Sequence, residues 1–189
     1  FAAEIEEGLL ITEGPDIQTL PTMSYRTMMP VLDHAAPLIK LPIALWMTSE
    51  LRSLQAKSIH MGPRISMLIT QILEAEKGFD QQLEIFPEEI GVRYRHAITQ
   101  DDVPGKHLSV VFRASRQAFE RSDDRLPITV ASLFTRLPGS GRPLFTDLIE
   151  RDGVRASASN VENWFRQYAK VVTHPVVAIY LLYGIGLEA

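Results

Sequence analysis

The spacing of apolar residues changes along this chain from a period of two to a period of 3.6, so strands and helices must share one fold. Between residues 39 and 48 the pattern alternates. Leu41, Ile43, Leu45 and Met47 share one face, while Lys40, Pro42, Ala44, Trp46 and Thr48 share the other, which is the signature of a strand. Pro42 cannot donate to a ladder and confines that strand to a sheet edge or a bulge. Short apolar runs at 83–86, 92–96 and 108–113 predict further strands separated by polar turns. Residues 1–21, acidic at first and then carrying Gly14-Pro15 and Pro21, read as a lead-in segment followed by loop.

The helical signals are of two kinds. Gly62-Pro63 punctuates the first part of the chain, with Pro63 suited to a first helical turn. After it, Ile65, Leu68, Ile69, Ile72 and Leu73 predict an amphipathic helix over 64–76. From about residue 127 the texture is helical throughout. Val130, Leu133, Phe134 and Leu137 form one stripe, and Leu144, Phe145, Leu148 and Ile149 form another. Ser159 and Glu162 have the spacing of a capping box, opening a helix whose inner face is Val161, Trp164, Phe165, Tyr168 and Val172. His174-Pro175 is expected to break that helix and start a fourth. The apolar run 176–187 is shorter than the roughly 20 residues of a membrane span and predicts a helix buried in a core. The fold class that follows is α+β, with strands in the first two-thirds and helices in the last third.

Composition narrows the function classes. With 189 residues the chain can bury about two-thirds of its unfolded surface. The net charge of −4 comes without a long Lys/Arg run, which argues against nonspecific nucleic-acid binding and against a polybasic membrane surface. The absence of Cys excludes thiol catalysis, zinc–thiolate sites and disulfides. The five histidines have no metal-ligand spacing. Gly139-Ser-Gly-Arg-Pro143 lacks the Lys-Ser/Thr of a P-loop, and there is no Gly-x-Ser-x-Gly elbow. The chain begins at Phe1 without a signal-peptide pattern and stops at Ala189 within an apolar run, so it reads as a piece of a longer protein.

Three polar groups stand out against this background. In an extended segment Ser24 and Arg26 share a face and place a hydroxyl beside a guanidinium fork, which suits a phosphate or a carboxylate; a solvated strand with a surface Arg fits the same spacing. Lys40 and Thr48 share a strand face, with Arg52 about a turn further on. Two cations and a hydroxyl converging there make an anion-selective pocket, and ordinary surface charges paired with Glu50 are the alternative. Glu188 closes an apolar run, so its carboxylate is paired, bound to a hard cation such as Mg²⁺, or turned to water.

Met23-Ser-Tyr-Arg-Thr27, Lys40, Thr48-Ser-Glu-Leu-Arg52, Lys57-Ser-Ile-His-Met-Gly-Pro-Arg-Ile-Ser66, the Gly-x-Pro-Leu-Phe-x-Asp-Leu stretch within 126–150, and Gly184-Ile-Gly-Leu-Glu-Ala189 occur in one order. From about residue 22 to residue 189 this order resembles that of the NRPS-independent siderophore synthetases, the aerobactin-synthetase family. The resemblance implies a cupped hand of thumb, fingers and palm. This chain would supply antiparallel, β-rich fingers over 1–126 and the helical start of the palm over 127–189, with the N-terminal and C-terminal parts of the parent protein missing.

It also implies an ATP-dependent ligase of siderophore biosynthesis. Such an enzyme adenylates citrate, a citrate-derived acid or a dicarboxylic acid, releases pyrophosphate, and passes the acyl group to an amine, hydroxylamine or alcohol. Carried over by motif, Ser24, Arg26 and Thr27 would hold the triphosphate of ATP, and Lys40 would contact phosphate near the reacting carboxylate. Thr48 and Arg52 would bind the carboxylate substrate, with Arg52 also set to stabilise transferring charge, and Glu188 would be a Mg²⁺ ligand. A cytoplasmic homodimer without nucleic-acid or membrane partners completes the expectation. The family's N-terminal nucleotide motif is absent, and its palm motif continues with a His beyond Ala189, so the chain alone is expected to be inactive. Two readings from other classes compete: a noncatalytic anion- or partner-binding module of the same fold, and an unrelated phosphotransferase. Against the latter, the chain has neither a His-Arg-Asp loop nor Asp-Phe-Gly.

Overall fold

A computed structural model of the chain describes residues 1–33, 35–47, 49–79, 82–95, 103–115, 128–151 and 153–187. A short helix, α1 (Ala2–Glu6), precedes the strands β1 (Thr19–Pro21), β2 (Thr27–Pro30) and β3 (Leu38–Lys40). A small hairpin follows, β4 (Trp46–Met47) with β5 (Glu50–Leu51), then the long helix α2 (Ala56–Ala75), strand β6 (Glu88–Arg93), helix α3 (Val103–His107) and strand β7 (Ser109–Arg113). A 3₁₀ turn (Val130–Phe134) and helices α4 (Leu144–Glu150) and α5 (Ala158–Tyr183) complete the order. The chain is α+β. Its main sheet has the order β1-β2-β3-β7-β6, and every neighbouring pair is antiparallel.

Because cross-strand partners share a face, the register sorts the side chains. Thr27, Lys40, Val111 and Gly91 pair across four strands on one face, and Leu38, Arg113 and Glu88 form the next row of that face. Helix α2 lies on it, burying Ile59 against Val111 and Leu54. Gly91 is required at this contact, since a β-carbon there would collide with the main-chain carbonyl of Ile59. That carbonyl has no amide to accept from four residues on, because position 63 is Pro. The opposite face, with Met28, Ile39, Phe112 and Ile90 in one row, leaves Ile90 and Val92 more than half exposed.

The helical part is held by aromatic contacts. Phe134, Phe145, Trp164 and Tyr168 follow one another with ring centroids 5.9, 6.1 and 5.6 Å apart, a spacing that adds favourable quadrupole contacts to area burial. Tyr183 on α5 donates to the Glu76 carboxylate just beyond α2, and His174 Nδ1 lies 3.0 Å from Gln82 Oε1. Among the described residues no helix is long and apolar enough to cross a membrane.

Several sequence expectations are corrected. The strand expected over 39–48 ends at Lys40, because Pro42 interrupts the ladder, and Trp46–Met47 pairs instead with β5 in a separate two-stranded sheet. Residues 83–86 form no strand and instead carry the chain from α2 to β6, whereas residues 1–21 contribute both α1 and β1. Helix α2 begins at Ala56 rather than 64, with Pro63 in its interior. The break expected at His174-Pro175 does not occur: α5 runs through Pro175, which is itself buried beside the fully enclosed Ile179. Its N-cap is Ser157, whose side chain accepts from the Asn160 amide, so the capping box at Ser159 is not used. The helix ends at Gly184 in the left-handed conformation, φ 67°. The 176–187 run is not a buried core helix in this chain, since Leu181 is 74% exposed and Leu182 64%.

Candidate functional site

The site grows from the tight turn joining β1 to β2. Ser24 and Arg26 do not lie on an extended segment, as the sequence suggested, but on either side of Tyr25, which has φ 37°. A bulky residue there costs on the order of 1 kcal/mol and persists only where its surroundings fix it. Here they do. Tyr25 N–H donates to the Thr22 carbonyl at 3.0 Å, Thr22 N–H to the Thr27 carbonyl at 2.9 Å, and Ser24 Oγ lies 2.8 Å from Thr27 Oγ1. Thr27, at 2% exposure, is among the most buried polar residues described.

Arg26 leaves this turn towards the irregular segment between β5 and α2. Its NH1 donates to the carbonyls of Arg52 at 3.4 Å and Ser53 at 3.1 Å. The guanidinium thereby ties the turn to the segment carrying Arg52, a segment also fixed by Arg52 N–H to the Leu45 carbonyl and Ile43 N–H to the Arg52 carbonyl. Arg52 Nε is buried and has no hydrogen-bond partner among the described residues. A buried guanidinium donor without an acceptor is costly, and an anion supplied from outside the chain would relieve it.

Lys40 ends β3 and pairs in register with Thr27. Its ammonium donates to Glu88 Oε1 at 2.8 Å, and the same oxygen accepts from Arg113 NH2 at 3.0 Å and Nε at 3.3 Å. Burial lowers the Lys40 pKa from its ordinary value; the hydrogen bond and charge of Glu88 oppose this, and Arg113 and Arg26 add to it. Burial also lowers that of Arg26, against Tyr25 and Glu88, with Arg52 and Arg113 contributing in the same sense. For Glu88 burial pushes upward, but the bonds and charges of Lys40 and Arg113 outweigh it and hold the carboxyl below its usual range. Around Arg26, then, Lys40, Arg52 and Arg113 face one described carboxylate, Glu88. Such a surplus of desolvated cations selects an anion of multiple charge.

The structure therefore brings Ser24, Arg26, Thr27, Lys40 and the Arg52 segment together at one end of the sheet. Thr48 and Glu188 lie outside the described residues. No group of three or more His, Asp or Glu side chains that could hold a metal gathers among the described residues. Glu88 and Arg113 are the members that sequence reasoning missed. Their one sequence trace is Gly62, a glycine within a helix, since a β-carbon there would run into the Glu88 carboxylate.

The sequence model of the IucA / IucC family matches residues 1–135. Over its full length the chain is 51% identical to the uncharacterized protein y4xN of Sinorhizobium fredii and 25% identical to the D-ornithine–citrate ligase of Staphylococcus aureus, covering 30% of each. Among solved structures it is similar to the petrobactin biosynthesis protein AsbB of Bacillus anthracis. There the TM-score is 0.80 at 21% identity, with 99% of this chain and 30% of that one aligned. Against the aerobactin synthetase IucC of Klebsiella pneumoniae the TM-score is 0.79 at 24% identity, with 100% and 31% aligned. The chain thus spans about 30% of the length of the relatives it matches.

Proposed function

The chain belongs to the IucA / IucC family, and on that premise we propose that the complete protein is an ATP-dependent acid–amine ligase of siderophore biosynthesis. It adenylates citrate, a citrate-derived acid or a dicarboxylic acid and condenses it with an amine, hydroxylamine or alcohol. In support, relatives carry the names D-ornithine–citrate ligase, spermidine-citrate ligase and aerobactin synthase, and one solved relative is an ATP-bound aerobactin synthetase. The observation that carries the reading is the cationic cluster with the buried, unsatisfied Arg52 Nε. A triphosphate and a carboxylate together are the substrates such a cluster suits.

In this reading residues 1–126 are the fingers and 127–189 the start of the palm. Ser24 and Thr27 present their hydroxyls, and Arg26 its fixed charge, to the triphosphate. Lys40 contacts the phosphate next to the reacting carboxylate. Thr48 and Arg52 hold that carboxylate, and Arg52 stabilises the charge that grows as the carboxylate oxygen attacks the α-phosphorus and pyrophosphate departs. Donors fixed before the reaction need no reorganisation, which is why removing one costs about 100- to 1,000-fold in turnover. Glu188 is the proposed carboxylate for Mg²⁺, an ion that when bound neutralises phosphate charge. The complete protein is proposed to be a cytoplasmic homodimer.

The test is carboxylate-dependent pyrophosphate release by the complete protein, with ATP, Mg²⁺ and a panel of acids including citrate and 2-oxoglutarate, with and without hydroxylamine. Release with one acid, lost in Arg52→Ala, is the expected result. The competing reading is a noncatalytic anion- or partner-binding module of the same fold. It requires that no acid elicit release and that Lys40 and Arg52 tolerate replacement.

A further inference from the structure

Strand β6 contains a register irregularity with a consequence for the site. Glu88 pairs with Arg113, yet Ile90 pairs with Phe112, so one residue, Glu89, is extra. In a regular strand Glu88 and Ile90 would share a face. The bulge instead turns Glu88 to the side of Lys40, Val111 and Arg113 while Ile90 stays on the opposite face. Bulges re-aim side chains in this way beside functional sites.

Three further features hold the re-aimed carboxylate. Ser66 Oγ accepts from the Glu88 amide at 2.9 Å, fixing the main chain against α2. Gly62, one turn earlier on α2, leaves the room that a β-carbon would take from Oε2. Lys40 and Arg113 converge on Oε1, and the side chains of Lys40 and Glu88 are only 13% and 14% exposed. A lysine has four rotatable bonds and points nowhere in particular unless something holds it.

We propose that Glu88 is a positioning residue, turned inward by the bulge to aim Lys40 and Arg113 as a fixed pair of cations at the anion site, with Gly62 kept bare to admit its carboxylate. The catalytic consequence rests on the ligase reading above; the aiming of Lys40 does not. The described charged groups that act on Lys40 are Glu88 from β6, Arg113 from β7 and Arg26 from the β1–β2 turn. Glu88 is the one anion among them. Removing its charge leaves the ammonium beside two cations, so Lys40 gives up its proton at lower pH.

The experiment uses the complete protein as wild type, Glu88→Gln and Gly62→Ala. The first variant keeps size and a hydrogen-bond acceptor but removes charge. The second keeps every charged group and displaces the carboxylate, which is the movable end of a flexible side chain. Competitive amine labelling read by mass spectrometry, with Lys57, Lys106 and Lys170 as internal standards, follows the reactivity of Lys40 against pH. Pyrophosphate release is measured in parallel. Both variants are expected to label Lys40 several-fold faster at mildly alkaline pH. Both should also lose about 100-fold in kcat, the scale of a misaimed group, with KM for the acid nearly unchanged because Arg52 is untouched.

Unchanged Lys40 labelling in both variants overturns the proposal, as does changed labelling with wild-type kcat. If the wild type releases no pyrophosphate with any acid, the ligase reading fails and the labelling alone decides whether Glu88 aims Lys40. Should Glu88→Gln not fold, Gly62→Ala decides, since alanine is otherwise favoured over glycine in a helix.

Discussion

Among the described residues, two carboxylates are held below the ordinary range by different means. Glu88 is enclosed, and its cations overcome the burial. Glu150 lies near the surface, where the hydrogen bond from Arg142, at 2.8 Å, and that from the Ala156 amide, at 3.0 Å, bring its pKa from 4.5 to about 2. A carboxyl with a lowered folded pKa contributes stability that is fully present above the unfolded value and is lost as pH falls through the folded one. For Glu150 that window runs from about 4.5 down to about 2. A carboxylate-detected NMR titration should place Glu150 near the bottom of this window. Arg142→Ala should move it upward but not to the ordinary value, because the Ala156 amide remains. A wild-type titration at the ordinary value would contradict this account. The comparison also shows what a sequence conceals at this scale. Arg142 and Glu150 are eight positions apart, on a turn and the helix after it, whereas Lys40, Glu88 and Arg113 meet only through strand register. Period-two reading assigns Glu88 to the face of Ile90, and a single bulged residue reverses that assignment.

At the scale of elements, local signals competed with tertiary packing, and the outcome is visible at helix ends. Ser157 and Ser159 both precede the first apolar positions of α5, and Glu162 favours Ser159 by the capping-box rule. The structure places the cap at Ser157, which receives the Asn160 amide at 3.4 Å, while Ser159 sits inside the helix. Ser157→Ala should therefore cost about 1 kcal/mol in a urea titration. Ser159→Ala should be neutral or slightly stabilising, since alanine is the better helix former. The reverse order would return the helix start to Ser159. The α+β class, the strand at 109–113 and the helix at 144–150 were legible because their periodicity needs no distant partner. Pro63 does not open α2 and Pro175 does not break α5, because the lost amide bond and ring clash of an interior proline, together roughly 3 kcal/mol, are offset here by burial. Ile59 and Ile69 of α2 and Pro175 and Ile179 of α5 are all enclosed.

For the molecule as a whole, the distribution of apolar surface carries a further consequence. One sheet face exposes Ile90 and Val92, and α5 exposes Phe165, Tyr180, Leu181 and Leu182. Contiguous apolar patches beyond a few hundred Å² are uncommon on proteins that remain monomeric. The site lies on the other face of the same sheet, built from the β1–β2 turn, the end of β3, the start of β6 and the end of β7. Its parts are separated by up to 89 positions in sequence, from Ser24 to Arg113, and only closure of the sheet assembles them. The chain spans about 30% of its relatives, so the 189 residues expressed alone would present both apolar faces to water. On sizing they should elute above the 21.2 kDa of one chain and bind an apolar dye, and they should release no pyrophosphate with any acid. The complete protein should not bind the dye. A monomeric, dye-silent chain would mean that these faces are tolerated in water and need no cover, and pyrophosphate release from it would locate the whole catalytic apparatus within these residues.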